Sequence, residues 1–220
     1  MVRAMLIAVL ITIGLQGNAQ TESRITRYNY FFLEAIRQQE MGNLAAAFDL
    51  LNHARDINPK APEVYYEIAG YYVAMQNSKA ARYNFEQAAK LAPDNSTYLE
   101  KLGQFYISQN NYEDALTTYE QLYTSNKTRE DVLQILYQLY GAQNNYKKMI
   151  EMIERMELLS GASEQLSLTK MQIYEQMGDK RKAQAELLRL VQKNPLELNY
   201  RVMLGNWLLQ NNKKKEAYNE

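Results

Sequence analysis

The sequence predicts an all-α protein of about six helix-turn-helix repeats of 34 residues, the last incomplete. Tyrosines recur at this interval from Tyr72 to Tyr174. Small residues recur too, and only Met149 interrupts their column. Three of the four prolines share a third column. Such a period is typical of helix pairs that bury their apolar faces against neighbouring copies. The second and third columns are Ala47, Ala81, Ala115, Ala183 and Ala217, and Pro59, Pro93 and Pro195.

The stretch from Ser96 to Asn126 shows most clearly how one repeat is built. Apolar residues recur at intervals of three and four on both sides of the turn Asn110-Asn111, which indicates two short amphipathic helices. A hairpin this small cannot bury both faces by itself, so it needs neighbours. The two faces consist of Leu99, Leu102, Gly103 and Tyr106, and of Ala115, Tyr119 and Leu122.

We expect the repeats to occupy residues 28–220 and to start near residues 28, 62, 96, 130, 164 and 198. A pair of turn-forming residues should end the first helix of each repeat, because Gly, Asn and Asp tolerate left-handed backbone and cap the next helix. The expected pairs are Gly42-Asn43, Gln76-Asn77, Asn110-Asn111, Asn144-Asn145, Gly178-Asp179 and, one residue early, Asn211-Asn212.

Residues 1–19 have the pattern of a secretory signal peptide: Arg3, an apolar run from Ala4 to Leu15, and the small residues Gly17-Asn18-Ala19. The run is too short for a transmembrane helix, which needs about 20 residues, so we expect no membrane span after signal removal. The alternative is an uncleaved anchor. The ending resembles signals of Gram-negative bacteria, which predicts the periplasm or cell envelope. We expect residues 20–27 to be a disordered lead-in.

Composition argues against several functional classes. Lys plus Arg and Asp plus Glu both number 25, and this balance argues against affinity for nucleic acid. Most of the 18 tyrosines sit at repeat positions, so packing explains them. With one histidine, His53, and no cysteine, the sequence predicts no metal site, and it contains no phosphate-binding glycine loop. We therefore expect no enzyme, no catalytic residue and no cofactor.

The repeats resemble the tetratricopeptide repeat (TPR) family. That family has a bulky residue, Leu-Gly and Tyr in the first helix, then Ala, a bulky residue and Ala in the second, and a closing Pro. The second repeat matches with Tyr65, Ile68-Ala69, Tyr72, Ala81, Phe85, Ala88 and Pro93. The resemblance implies a right-handed α-α superhelix, a solenoid whose concave surface binds peptides or proteins.

In this family, the second, fifth, ninth and twelfth positions of the first helix face the partner. This stripe contains no lysine here, which argues against the clamp for a terminal carboxylate found in chaperone-binding members. Gln39, Gly70, Ile107, Gly141 and Glu175 also fall on it. The groove candidates are Phe32, Ile36, Tyr66, Val73, Glu100, Gln104, Gln134, Gln138, Leu168 and Gln172.

We interpret the apolar candidates Phe32, Ile36, Tyr66 and Val73 as an anchor for an apolar side chain. Gln104, Gln138 and Gln172 lie 34 residues apart, and their amides could donate to and accept from an extended main chain. The alternative is that glutamine is simply a good helix former on a solvated face.

Two places depart from the family pattern. Repeat four has the large residues Tyr137, Met149 and Met156 where small ones are usual, which predicts wider helix spacing or altered curvature around residues 130–160. Alternatively, Gly141 and Ala142 make local room. In the shortened last repeat, we expect an uncovered apolar edge that could meet a partner or a continuation of the chain. This edge would consist of Leu204, Trp207, Leu208 and Ala217.

These features predict a non-catalytic scaffold or adaptor of the bacterial cell envelope that binds a protein or peptide partner in the groove. One alternative is the periplasmic sensory region of a longer signalling protein that continues beyond Glu220. A third possibility is an accessory module of an envelope enzyme. The sequence identifies no particular partner.

Overall fold

A computed structural model of the chain describes residues 22–218. The predicted signal peptide lies outside these residues. Within them, all regular structure is helical, and no helix is both long and apolar enough to span a membrane. We number the helices α1 (residues 22–40), α2 (Leu44–Ile57), α3 (Pro62–Ala74), α4 (Ser78–Leu91), α5 (Ser96–Ser108), α6 (Tyr112–Ser125), α7 (Glu130–Ala142), α8 (Tyr146–Ser160), α9 (Glu164–Gln176), α10 (Lys180–Lys193), α11 (Leu198–Gln210) and α12 (Lys214–Ala217).

The helix starts confirm the 34-residue period. Helices α3, α5, α7, α9 and α11 begin at the five residues where repeats two to six were expected. The first repeat differs, because residues 22–27 are helical and continue into α1, whereas the sequence predicts a disordered lead-in over residues 20–27. Arg24 Nε donates to the Ile57 carbonyl oxygen at 2.5 Å and ties this extension to the end of α2.

A left-handed residue ends the first helix of every repeat, and these residues recur every 34 positions. They are Gly42, Gln76, Asn110, Asn144, Gly178 and Asn212, with φ between 53° and 81°. The residue that follows caps the next helix in four repeats: the side chains of Asn77, Asn111, Asn145 and Asp179 accept hydrogen bonds from backbone N–H groups. The expectation that the last turn comes one residue early is wrong, since Asn212 keeps the period.

The chain divides into two compact units between Ser108 and Gln109. In the first unit, helices α1 to α5 enclose a core of alanines and larger aliphatic side chains: Ala35, Ala47, Leu51, Ala54, Val64, Ile68, Ala69 and Ala81 are all 0% exposed. In the second, α6 to α12 bury Ala115, Val132, Leu133, Ala183, Leu187 and Leu204 to the same extent. The predicted column of small residues thus marks close helix packing in each unit.

One enlarged side chain of repeat four, that of Met149, is accommodated locally. Met149 is buried, and its Cε lies 3.4 Å from the point where a side chain on Gly141 would begin. The missing side chain of Gly141 therefore leaves the space that the Met149 thioether fills. This contact favours the alternative interpretation, in which a glycine makes local room.

The apolar edge predicted for the last repeat consists of other residues. Leu204, Trp207 and Leu208 are buried, and the Trp207 indole N–H donates to Glu175. Their side chains face the preceding repeat, so the prediction that they form an uncovered edge is wrong. Ala217 is half-buried. The exposed apolar residues of α11 are instead Leu198, Val202, Met203 and Leu209.

Candidate functional site

The predicted apolar anchor lies at the margin of the first unit's core. Phe32, Ile36 and Tyr66 are half-buried, whereas Val73 is exposed. The Phe32 ring stacks on Tyr28 with 5.8 Å between centroids, and the Tyr66 ring lies 5.2 Å from that of Tyr98. Phe32 and Tyr66 therefore contribute to packing and present only part of their surface to a ligand.

The three predicted glutamines are all exposed. Gln104 belongs to the first unit, and Gln138 and Gln172 belong to the second. Gln138 lines a groove together with Gln134, but Gln172 does not line it. Glu100 and Leu168 are half-buried and lie outside this groove as well.

We call this depression, of about 460 Å³, the α7–α9 groove. Its floor is apolar, because Ile153 and Met156 of α8 are almost fully buried beneath it. The turn that closes one end is held by the Ser163 side chain, which accepts from the Leu166 N–H at 3.1 Å. The lining residues are Glu130, Gln134, Tyr137, Gln138, Ile153, Met156, Ser160, Gly161, Ser163, Gln165, Leu166 and Thr169.

The chemistry of the α7–α9 groove suits an extended segment: the Glu130 carboxylate in its lining accepts from the Ser160 hydroxyl, and the other lining residues are uncharged. Gln134, Gln138 and Gln165 are exposed at its rim, and each amide can both donate and accept hydrogen bonds. The apolar floor can take a side chain that points inward from such a segment. Among the lining residues, Gln134 and Gln138 belong to the predicted stripe. Tyr137 and Met156 are two of the unusually large residues of repeat four.

A second, smaller depression lies in the first unit, and we call it the Glu67 pocket. It has a volume of about 210 Å³ and is lined by Gln39, Leu44, Glu67, Gly70, Tyr71 and Ala74. Gln39 and Gly70 belong to the predicted stripe, whereas Glu67 lies one position beyond it. The Tyr71 hydroxyl donates to Gln39 Oε1 at 3.2 Å. Burial raises the pKa of Glu67, and a hydrogen bond with Gln39 opposes this only in part.

Between residues 22 and 218, no group of three or more His, Asp or Glu side chains could hold a metal ion. His53 is exposed and packs edge-on against Phe31 at 4.2 Å.

Comparison with known proteins agrees with the repeat pattern. A tetratricopeptide repeat family model matches residues 66–129. No curated protein matches the chain in sequence. Among solved structures, a tetratricopeptide repeat protein from Parabacteroides merdae ATCC 43184 is similar, with 16% identity and a TM-score of 0.56 over 88% of this chain and 77% of that one.

Two further structures are similar. YrrB, described as a TPR protein with an unusual peptide-binding site, shares 15% identity and a TM-score of 0.54, covering 77% of this chain and 88% of that one. A chain in the structure of Naa15/Naa10 bound to HypK-THB shares 18% identity with this chain and gives a TM-score of 0.65. The similar region covers 93% of this chain and 32% of that one. At these identities the likeness shows the fold.

Proposed function

Because the chain belongs to the tetratricopeptide repeat family, we propose that it is an exported, non-catalytic scaffold of the bacterial cell envelope. Its fold is that of protein-interaction scaffolds. The finer proposal is that it holds an extended segment of a partner protein along the first helices of its repeats. The observation that carries this proposal is the α7–α9 groove, with its apolar floor and amide rim.

The groove also indicates what kind of segment fits. A backbone in extended conformation leaves N–H and C=O groups free, and glutamine amides can pair with both. Ile153 and Met156 offer an apolar floor, which favours a partner with an aliphatic or aromatic side chain at that point. YrrB, which has a similar fold, is described as having a peptide-binding site, and this supports a peptide as the class of ligand.

Export is supported by the sequence of residues 1–19, which has the charge, apolar run and small residues of a secretory signal. The proposal places the repeats in the periplasm or at the envelope of a Gram-negative bacterium. A tagged full chain should then appear in the periplasmic or envelope fraction, and deletion of residues 2–19 should retain it in the cytoplasm. Cytoplasmic location of both forms would reject this part of the proposal.

Peptide display tests the binding function directly. The chain without residues 1–19 would be screened against random nine-residue peptides, and dissociation constants would be measured for the selected sequences. We expect peptides with a central apolar residue. Gln138→Ala should weaken their binding roughly three- to tenfold, the usual effect of losing one hydrogen bond at an interface.

Gln172→Ala is the matched control. Gln172 occupies the same repeat position and is equally exposed, but it does not line the groove, so its substitution should leave the affinity unchanged. Selection of no peptide would reject the scaffold proposal. Equal losses for Gln138→Ala and Gln172→Ala would reject the α7–α9 groove as the site.

A further inference from the structure

The Glu67 pocket contains a carboxylate without a cation. Glu67 is partly buried and forms no ion pair within residues 22–218. On α1, the Arg37 guanidinium, two residues before Gln39, donates to Glu34 at 2.5 and 2.8 Å. A partly buried negative charge is costly unless it is paired. No described residue therefore neutralises the negative charge of Glu67.

The charge of Glu67 acts on the tyrosines around it. After burial, the charge of Glu67 is the next cause that raises the pKa values of Tyr66 and Tyr71. Glu63 and Glu67 together do the same to the pKa of Tyr98. The described titratable groups that interact with Glu67 from its own helix and from α5 are thus the neutral side chains of Tyr66, Tyr71 and Tyr98, and from α1 it meets the neutral Gln39 amide.

The pocket is accessible and has the size of a single side chain. Its volume of about 210 Å³ is smaller than the roughly 300–1,000 Å³ of pockets that bind drug-sized ligands. Gly70 leaves its mouth open, because no neighbouring atom lies within 4 Å of the point where its side chain would begin. The lining offers a carboxylate, the Gln39 amide oxygen and the Tyr71 ring, and these three groups suit a cation with several N–H donors.

We propose that the Glu67 pocket binds a basic side chain of the partner, with a guanidinium paired to Glu67 and lying against Tyr71. This proposal deepens the scaffold function, on which its biological role rests. It adds a recognition point for a cation in the first unit to the α7–α9 groove of the second, where the lining carboxylate of Glu130 already accepts a hydrogen bond from Ser160. A partner would accordingly carry an arginine or lysine in addition to its apolar residue.

The test uses a small probe and needs no partner. The chain without residues 1–19 is titrated with N-acetyl-arginine amide and, separately, with the isosteric but neutral N-acetyl-citrulline amide. Binding is read from the NMR signals of Gly70 and the Tyr71 ring. We expect saturable shifts with the arginine probe, and affinity at least about tenfold lower for citrulline, since charge-assisted hydrogen bonds are the stronger ones.

Glu67→Gln should abolish the preference for arginine over citrulline. Glu40→Gln, which removes the same charge from an exposed position of the first unit outside the pocket, should keep it. Equal shifts with both probes, or an unchanged preference in Glu67→Gln, would overturn the pocket. If the probe binds but display selects no peptide, only the scaffold function fails. If peptides are selected but the probe does not bind, only the pocket fails.

Discussion

Lys170 Nζ lies 2.8 Å from Glu186 Oε1, and the lysine is 4% exposed. The same ammonium lies 2.9 Å from Glu157 Oε2, so it joins α8, α9 and α10. Arg189 completes the cluster at 3.4 and 3.5 Å from the two carboxylates, which makes it neutral overall. Lys170 stands 34 residues after Leu136, which is buried, so a lysine occupies an apolar core position of the repeat.

Replacing Lys170 should therefore destabilise the second unit strongly. Lys170→Ala leaves Glu157 and Glu186 buried with only Arg189 between them. Removing one member of a buried ion pair typically costs about 3–5 kcal/mol. Urea unfolding followed by circular dichroism measures the change. Lys180→Ala, an exposed lysine at the start of α10, is the control and should change stability by less than about 0.5 kcal/mol. Equal effects of both substitutions would contradict a stabilising role for the cluster.

Stability should fall in alkali, above about pH 10. Burial acts to lower the pKa of Lys170, but its bonds with Glu186 and Glu157 outweigh this and raise it above the ordinary 10.5. Burial and the bond to Glu120 raise the pKa of Tyr140 above the ordinary 10.0. Both groups hold their protons more tightly in the folded chain. The unfolded chain therefore loses protons first, and stability declines as pH rises through these ordinary values.

Melting temperatures measured from pH 8 to pH 11 test this expectation. The wild-type value should be steady at the lower end and drop at the upper end. Tyr140→Phe removes one of the groups that contribute to this decline, so its curve should fall less steeply above pH 10. At pH 8 the variant should lose about 1 kcal/mol, the usual net value of one hydrogen bond. A curve that is flat or rising above pH 10 would contradict the sign.

The repeat architecture was predictable because it depends on many residues with one period. Tyrosines, alanines and turn residues each report the same 34-residue interval, so errors at single positions do not matter. The site depends on single positions, and there the sequence was less informative. Gln138 and Gln172 share a repeat position, yet only Gln138 lines the α7–α9 groove. The difference comes from their neighbours, which a family pattern does not fix.

Charged residues were the hardest to place. A lysine in an amphipathic helix is usually solvated, and nothing in the sequence pairs Lys170 with Glu157 and Glu186, which lie on two other helices. Glu67 was not among the predicted site residues, because it directly follows the stripe residue Tyr66 and so lies one position outside the expected stripe. Its importance follows from the pocket and from the lack of a paired cation, and these are properties of the folded first unit.

Gln76 occupies a turn position that favours glycine. Its φ is 57°, and the equivalent residues Gly42 and Gly178 adopt 81° and 73°. A residue with a side chain is destabilised by about 1–2 kcal/mol in the left-handed conformation, and glycine avoids this cost. Glycine also has more conformational freedom in the unfolded chain, which cancels part of the gain. We expect Gln76→Gly to stabilise the first unit by roughly 0.5–1 kcal/mol, measured as the shift of the urea midpoint.

Gln143→Gly provides the matched comparison, because Gln143 precedes a left-handed turn residue but has a φ of −92° itself. Glycine has no steric advantage there, and its greater freedom in the unfolded chain should destabilise the protein by about 0.5–1 kcal/mol. If both substitutions change stability in the same direction, the backbone conformation of Gln76 is not the cause.

Glu67→Gln should make the protein more stable at neutral pH, the opposite of what is expected for a structural carboxylate. Burial raises the pKa of Glu67, so the folded chain binds its proton more tightly than the unfolded chain does. Stability therefore declines as pH rises through the ordinary pKa of 4.5 and the raised one. A neutral amide at this position removes the decline. The variant should melt a few degrees higher than wild type at pH 7.5, the shift that about 1 kcal/mol gives in a domain of this size.

The pH dependence separates this explanation from a general effect of glutamine. At pH 4 most of the Glu67 side chain carries its proton in both states, so the difference between wild type and Glu67→Gln should shrink or vanish. Glu40→Gln should show no such pattern, because Glu40 is exposed. A Glu67→Gln variant that is less stable than wild type at pH 7.5 would mean that the carboxylate supports the fold. A carboxylate kept at a cost to stability is instead what a binding site for a cation requires.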